Sequence, residues 1–103
     1  MTRKPLPNRR ENQTIDLSFG NQNFAVTIGF RSDGVPGEAF VNGARVGSDL
    51  HAILSDACIL VSLLLQHGVE AIALAHSMGR AGDGKTPASL IGALIDLLAE
   101  ARL

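Results

Sequence analysis

One segment of the chain has the residue types and the spacing of a phosphate-binding loop. Residues 79–86 are Gly-Arg-Ala-Gly-Asp-Gly-Lys-Thr, which fits the pattern G-x-x-x-x-G-K-[ST]. In loops of this type the backbone N–H groups hold the phosphates, the lysine reaches the terminal phosphates and the threonine binds magnesium. The candidate phosphate-binding residues are therefore Gly79, Gly84, Lys85 and Thr86. They make a small phosphate- or nucleotide-binding protein one candidate function.

The surroundings of this loop favour a different interpretation. Residues 71–78 are rich in alanine and suit a helix, whereas a phosphate loop follows a buried parallel strand. The chain beyond the loop is long enough for one helix, with no strand to carry an acidic metal ligand. Thr86 and Pro87 are typical of a helix N-cap and its first helical residue. We therefore expect a glycine-rich connection between two helices that binds no nucleotide.

The other residues that could bind a metal or act as a nucleophile are not spaced for one site. They are His51, His67, His76, Asp49, Asp56 and Cys58. His51 and Cys58 are seven residues apart, which is two helical turns and too far for one ion without further ligands. Cys58 lies among apolar residues, where burial raises the pKa of a thiol and makes it unreactive. The sequence thus predicts no catalytic residue, no metal site and no cofactor.

The composition limits the class of protein. The 103 residues, 46% hydrophobic and 18% charged, fit one folded domain rather than a disordered chain. A formal net charge of −1 and four phenylalanines as the only aromatic residues argue against nucleic-acid binding. The longest apolar run, residues 52–65, is shorter than the roughly 20 residues that span a bilayer. We expect a cytoplasmic protein without a membrane segment.

A basic arm precedes the predicted domain. Residues 1–12 carry a net charge of +3, and their basic residues are Arg3, Lys4, Arg9 and Arg10. Two prolines in this stretch disfavour a helix. One interpretation is an extended, solvated arm, and the other is a docking arm for an acidic partner or a phosphate-bearing ligand. The predicted domain itself covers residues 13–103.

Alternating apolar side chains predict an antiparallel meander in the first half of this domain. Ile15, Leu17 and Phe19 alternate with polar residues, and the turn-rich segment 20–23 separates them from a second alternating run. The predicted strands are residues 13–19, 24–31 and 38–41. Asn42 and Gly43 are typical of a type I′ hairpin turn, so residues 44–46 are a candidate for a short fourth strand.

The second half predicts three helices. The first, from Leu50 to Gln66, starts after the capping residues Ser48 and Asp49 and ends at His67 and Gly68. Its polar residues, at 51, 55, 62 and 66, share one narrow stripe, and nearly all the others are apolar. This helix must therefore be central and buried on most sides, and other helices or a second copy of the chain must cover what one sheet cannot.

Two more helices complete the predicted fold. Residues 69–78 form a short second helix, and the third begins at Thr86 and Pro87, with apolar residues recurring at helical spacing up to Ala101. The fold class is α+β, with a three- to four-stranded meander followed by three helices. Because the apolar surface exceeds what this sheet can cover, we expect a homodimer.

Several short motifs resemble a known family. They are Gly37-Glu-Ala-Phe-Val-Asn-Gly43, then Gly47-Ser-Asp-Leu, and finally Ser62-Leu-Leu-Leu-Gln-His-Gly68. This series is similar to the TSCPD domain, which is found at the C-terminal end of adenosylcobalamin-dependent (class II) ribonucleotide reductases and as short stand-alone proteins. The resemblance implies an accessory module, with a ribonucleotide reductase chain as a partner.

The chain also departs from that family. The Thr-Ser-Cys-Pro-Asp signature is absent, so the metal-binding role suggested for that signature is not carried over. A single cysteine cannot cycle between an intramolecular dithiol and a disulfide, as the reductases do near their C-terminus. The sequence therefore predicts a non-catalytic binding or accessory module. The alternatives are a phosphate-binding protein that uses the Gly79–Thr86 loop, and a structural interaction domain without a ligand.

Overall fold

A three-stranded antiparallel sheet followed by three helices forms the fold. The structure is a computed structural model that describes residues 2–6, 10–45 and 47–103. Its elements are β1 (Asn12–Phe19), β2 (Gln22–Phe30), β3 (Pro36–Asn42), α1 (Asp49–Gln66), α2 (Ala71–Ser77) and α3 (Leu90–Glu100). The strands lie side by side in chain order, and each neighbouring pair is antiparallel. The predicted α+β class is confirmed.

The two-residue repeat of the strands gives the sheet one apolar and one polar face. Val26 pairs with Ile15 on one side and with Val41 on the other, so apolar residues of all three strands share a face. Phe19 pairs with Gln22, which leaves a two-residue turn. Gly20 takes the first central position of that turn with φ +61°, a position that type II′ hairpins reserve for glycine.

No fourth strand is seen in the described residues that follow β3. Ala44 and Arg45 lie outside the strands, and Val46, the end of the predicted fourth strand, lies outside the described residues. Asn42 does not take the positive φ that a type I′ turn needs at both central positions. The chain therefore leaves β3 without turning back along it and continues to α1.

The ends of α1 agree with the sequence prediction to within one residue. The Ser48 side chain accepts a hydrogen bond from the His51 N–H at 3.1 Å, which satisfies one free donor at the helix start. The helix ends at Gln66 with His67 as its C-cap, and Gly68 takes φ +89°, as glycine commonly does after a helix. α2 lies within the predicted residues 69–78.

α3 begins later than predicted. The prediction that Thr86 and Pro87 open this helix is wrong, because Ser89 is the N-cap and accepts a hydrogen bond from the Gly92 N–H at 3.0 Å. The Thr86 hydroxyl donates to Asp83 and so does not cap a helix. Pro87 lies opposite Arg80 in an isolated bridge.

α3 covers the apolar face of the sheet, and α1 lies along β3. The main core consists of Leu94, Ile95 and Leu98 of α3, packed with buried residues of the strands and of α1. A smaller cluster joins Phe24, Leu54 and Leu90. The prediction that α1 packs against the sheet as a buried core helix is confirmed, although several of its apolar side chains remain exposed.

Polar side chains of α1 complete the open edge of β3. Ser62 is buried, and its hydroxyl accepts from the Ala39 N–H at 3.0 Å and lies 3.4 Å from the Ala39 carbonyl oxygen. Four residues further along α1, Gln66 donates to the Gly37 carbonyl at 3.0 Å. Four residues of a helix rise about 6 Å, and two residues of a strand rise about 6.7 Å. Every fourth residue of α1 therefore lies opposite every second residue of β3. The stripe therefore satisfies groups that an uncovered edge would leave unpaired.

α1 is also long and apolar enough to cross a membrane, judged by length and composition alone. A core helix of a soluble protein meets the same criterion, and the side of α1 that contains Leu54, Val61 and Leu65 is buried against the rest of the fold.

Candidate functional site

The phosphate-loop pattern lies between two helices. The segment from Gly79 to Thr86 follows α2, and α3 begins only at Leu90. The prediction of a helix before the loop is confirmed. A phosphate loop instead connects a buried strand directly to a helix, whose first N–H groups then face the phosphate. The segment has the glycines and the lysine of such a loop without the elements that position them.

A carboxylate of the loop occupies donors that a phosphate would need. Asp83 Oδ1 accepts from the Lys85 N–H at 2.9 Å and from the Thr86 N–H at 2.8 Å. Asp83 Oδ2 accepts from the Thr86 hydroxyl. In a phosphate loop, backbone N–H groups of this kind would bind the phosphate and the threonine hydroxyl would bind magnesium. These three donors are thus already used within the chain.

The Asp83 side chain is an anion at neutral pH. Hydrogen bonds from Thr86 and from the backbone of Lys85 hold its pKa at about 2, below the ordinary value of 3.8. Because the folded pKa is the lower one, this turn is fully stabilised above about pH 4 and weakens as the pH falls toward 2. At physiological pH the carboxylate repels a phosphate from the position that the donors surround.

A second acidic residue fixes the loop to α3. Both terminal nitrogens of Arg80 donate to the Asp96 carboxylate, at 2.6 and 2.8 Å. The same guanidinium donates to the carbonyls of Lys85 and Ala75, at 3.2 and 2.8 Å. This pairing lowers the pKa of Asp96 and raises that of Arg80. Arg80 therefore joins α2, the loop and α3, a positioning role that the sequence pattern did not indicate.

The groove beside the loop is unsuited to an anion. It has a volume of about 430 Å³ and lies between the β1–β2 turn, Thr86 and α3. Its apolar lining includes Phe19 and Leu97, and its acidic residues are Asp96 and Glu100. The Asp96 carboxylate is already paired with Arg80, and the Glu100 carboxylate disfavours a phosphate because like charges repel.

We expect ATP or GTP with magnesium to leave the melting temperature of the protein unchanged. A true phosphate site filled at 100 times its Kd would stabilise the fold by about 2.7 kcal/mol, roughly 10–20 °C for a domain of this size. Thermal unfolding with and without nucleotide checks this, with Lys85→Ala as the matched variant. A magnesium-dependent shift in the natural chain that Lys85→Ala abolishes would contradict the prediction.

Part of the basic arm lies against the end of α1. Arg3 Nε donates to Gln66 Oε1 at 2.7 Å, and the Lys4 N–H donates to the Gln66 carbonyl at 2.8 Å. Arg10 forms an ion pair with Glu38 of β3 at 2.6 Å. Arg9 lies outside the described residues. The positive charge of Arg3 thus stands near the helix end where the macrodipole is negative.

The remaining candidate ligands are dispersed. In the stretches that the structure describes, no three His, Cys, Asp or Glu side chains are grouped so that they could hold a metal ion. His51 lies near the start of α1, His67 at its end and His76 in α2. Cys58 is buried, and burial raises the pKa of its thiol, an effect that a hydrogen bond from the Val41 backbone opposes. Its geometry is that of a core residue.

The turn around Asp83 has a sequence signal that the phosphate pattern obscured. Aspartate commonly accepts hydrogen bonds from backbone N–H groups two or three residues further on, and Asp83 precedes Lys85 and Thr86 at those distances. The pairing of Arg80 with Asp96 has no such local signal, because 16 residues separate the two side chains.

Comparison with known proteins agrees with the resemblance in the sequence. The TSCPD domain family matches residues 1–102. A vitamin B12-dependent ribonucleotide reductase from Agrobacterium fabrum is 34% identical over 67 residues, which is 65% of this chain and 5% of that protein. A vitamin B12-dependent ribonucleotide reductase from Rhodopirellula baltica is 31% identical over 67 residues, 65% of this chain and 6% of that protein. No solved structure matches significantly.

The family is thus established on most of the chain. An α+β module with an antiparallel meander, an edge-covering helix and a tightly bonded interhelical loop is the class that the geometry defines. This chain belongs to the TSCPD domain family. It spans only about one-twentieth of the length of the curated relatives that it matches.

Proposed function

We propose that this chain is a non-catalytic accessory module that binds a ribonucleotide reductase chain. The observation that carries the proposal is the similarity of this chain to a segment of two vitamin B12-dependent ribonucleotide reductases. That segment is a small part of each reductase. A segment of that size is compatible with a domain that acts by contact with the rest of an enzyme. The same contact can be made by a separate chain when the two surfaces are complementary.

The chemistry of the described residues supports a binding role. Cys58 is the chain's single cysteine and is buried, so the chain itself offers no pair of thiols for electron transfer. The loop that resembles a phosphate site is closed by Asp83, so we propose no nucleotide-binding function for Gly79, Gly84, Lys85 and Thr86. Contact surfaces then remain as the functional feature of the domain.

The basic arm is the proposed docking element for the reductase. Arg3 and Lys4 are exposed and are fixed to the end of α1 through Gln66, which presents their charge at a defined position. An ordered cationic segment fits an acidic partner surface, because charge complementarity speeds and orients association. α1 is the helix of the described residues that is apolar enough to cross a membrane, but one side of it is packed in the core of the fold. We therefore propose that the complex is cytoplasmic.

Affinity purification of the tagged full chain from its native cells tests this proposal. At low salt we expect a ribonucleotide reductase chain to co-elute, and Lys4→Glu to reduce its yield several-fold because a rim charge is reversed. Arg45→Glu is the matched control, because Arg45 is also exposed but lies outside the arm. Absence of a reductase from every eluate would overturn the proposal, and equal loss in both variants would overturn the role of the arm.

A further inference from the structure

One side of α1 carries a row of exposed apolar residues. Leu50, Ile53, Leu60 and Leu64 are 39%, 63%, 62% and 41% exposed, although large apolar side chains gain most from burial. Ala57, half-buried, lies between them. These five residues are here termed the α1 seam. The side of α1 that packs against β3 contains none of them.

The spacing of the α1 seam is that of a helix-pairing surface. Its members follow one another at intervals of three, four, three and four residues, as the core positions of a coiled coil do. Such intervals average 3.5 residues, which keeps a row of side chains on one line facing a second helix. Apolar residues scattered over a solvated surface have no reason to keep this spacing through the whole of α1.

The α1 seam is also complementary to itself. A two-fold interface brings the same patch of both subunits together, so its residues must match in pairs about the axis. Ala57 is at the centre, and Leu50 and Leu64 lie seven residues before and after it. Ile53 lies four residues before Ala57, and Leu60 lies three residues after it. Antiparallel pairing then sets large residues against large ones, while the small Ala57 allows the two helices a close approach.

The helix macrodipoles favour the antiparallel direction. Asp49, at the start of one α1, would then lie near the negative end of the partner helix, but its carboxylate is exposed and stays hydrated, so this repulsion is weak. The two helix macrodipoles then oppose each other, whereas parallel helices would place like ends together. Asp56 precedes Ala57 and approaches its symmetry mate, but both carboxylates are exposed and stay hydrated at the rim.

We infer that a second copy of this chain docks on the α1 seam, so that two α1 helices pair antiparallel about Ala57. The inference is independent of the proposed reductase contact, which uses the arm. From Leu50 to Leu64 the seam is about 21 Å long and roughly 10–12 Å wide. Two such faces bury less than the roughly 1,200 Å² of a stable interface, so the pair is a dissociable one.

Molar mass as a function of concentration tests the surface. By light scattering or sedimentation, we expect the mass of the natural chain to rise from 10.8 kDa toward twice that value over roughly 1–100 µM. Leu60→Lys, at an exposed seam position, should keep the fold but stay at 10.8 kDa. Ile59→Lys is the matched control, because Ile59 is 55% exposed on the same helix but outside the seam, and should still dimerise.

Engineered disulfides test the direction of pairing. In a Cys58→Ala background, a mixture of Leu50→Cys and Leu64→Cys chains should cross-link under mild oxidation, while neither variant alone should do so. Ala57→Cys should cross-link by itself, because that residue meets its own copy at the axis. Circular dichroism of each variant establishes that it is folded before oxidation.

Four results of these experiments would overturn the inference. A mass of 10.8 kDa at every concentration excludes the dimer, and loss of dimer in Ile59→Lys but not in Leu60→Lys moves the interface elsewhere. Cross-linking of Leu50→Cys alone contradicts the antiparallel direction. If the chain stays monomeric while Leu60→Lys abolishes reductase co-elution, the α1 seam binds the reductase and not a second copy. Loss of reductase binding through Lys4→Glu with an intact dimer refers only to the arm.

Discussion

Leu54→Ala is expected to lower the free energy of unfolding by about 2–5 kcal/mol, as truncation of a buried leucine does. Leu54 is 2% exposed and packs with Phe24 of β2 and Leu90 of α3, so its side chain joins three elements in the smaller core cluster. Removal of its branched end loses apolar burial and leaves a cavity that these neighbours can fill only in part. Urea denaturation followed by circular dichroism measures the change.

Leu60→Ala is the matched control for this prediction. It is the same substitution in the same helix, but the Leu60 side chain is 62% exposed. Measured at a concentration low enough to keep the chain monomeric, it should change the stability by less than about 0.5 kcal/mol. If Leu54→Ala were as mild as Leu60→Ala, the assignment of the two faces of α1 would be wrong.

The strands and α1 could be predicted because local signals agree with the tertiary structure there. In β2 the alternation of Phe24, Val26 and Ile28 with smaller or polar residues matches the side that the helices cover. In α1 the cap Ser48 and the terminating Gly68 bound a largely apolar segment with one polar stripe. At these positions propensity, patterning and packing favour the same conformation.

The start of α3 could not be predicted because two capping residues compete. Thr86 followed by proline and Ser89 are both acceptable N-caps by residue type. Asp83 decides between them, since it engages the Thr86 hydroxyl and backbone N–H in its own turn. The helix then starts at the next free cap. Such competition depends on which acceptor is within reach, and a pattern of residue types does not contain that information.

The function of the polar stripe on α1 was also beyond a helical projection. The sequence places Ser62 and Gln66 on one side of the helix but does not show that this side meets a strand edge. Likewise the phosphate pattern of the candidate site is visible in the sequence, while its closure depends on the positions of Asp83 and of the Arg80–Asp96 pair. Long-range contacts therefore determine which of the sequence motifs can act.

Ser62→Ala is expected to destabilise the fold by about 1–3 kcal/mol, although the substitution removes only one oxygen atom. The Ser62 hydroxyl is the acceptor for the buried Ala39 N–H and also lies beside the Ala39 carbonyl. Without it, the edge of β3 has an unpaired donor that water cannot readily reach. The loss should lower the melting temperature by roughly 5–20 °C and speed hydrogen exchange at the Ala39 amide.

Ser55→Ala separates this effect from helix propensity. Ser55 lies seven residues earlier on the same stripe but is exposed, so its replacement leaves no buried group unpaired. Because alanine favours a helix more than serine does, Ser55→Ala should be neutral or slightly stabilising. Equal effects of the two substitutions, or an unchanged exchange rate at Ala39, would show that α1 does not satisfy the edge of β3. A large difference would establish that the Ser62 hydroxyl of a helix satisfies an edge group of β3 that a neighbouring strand would otherwise pair.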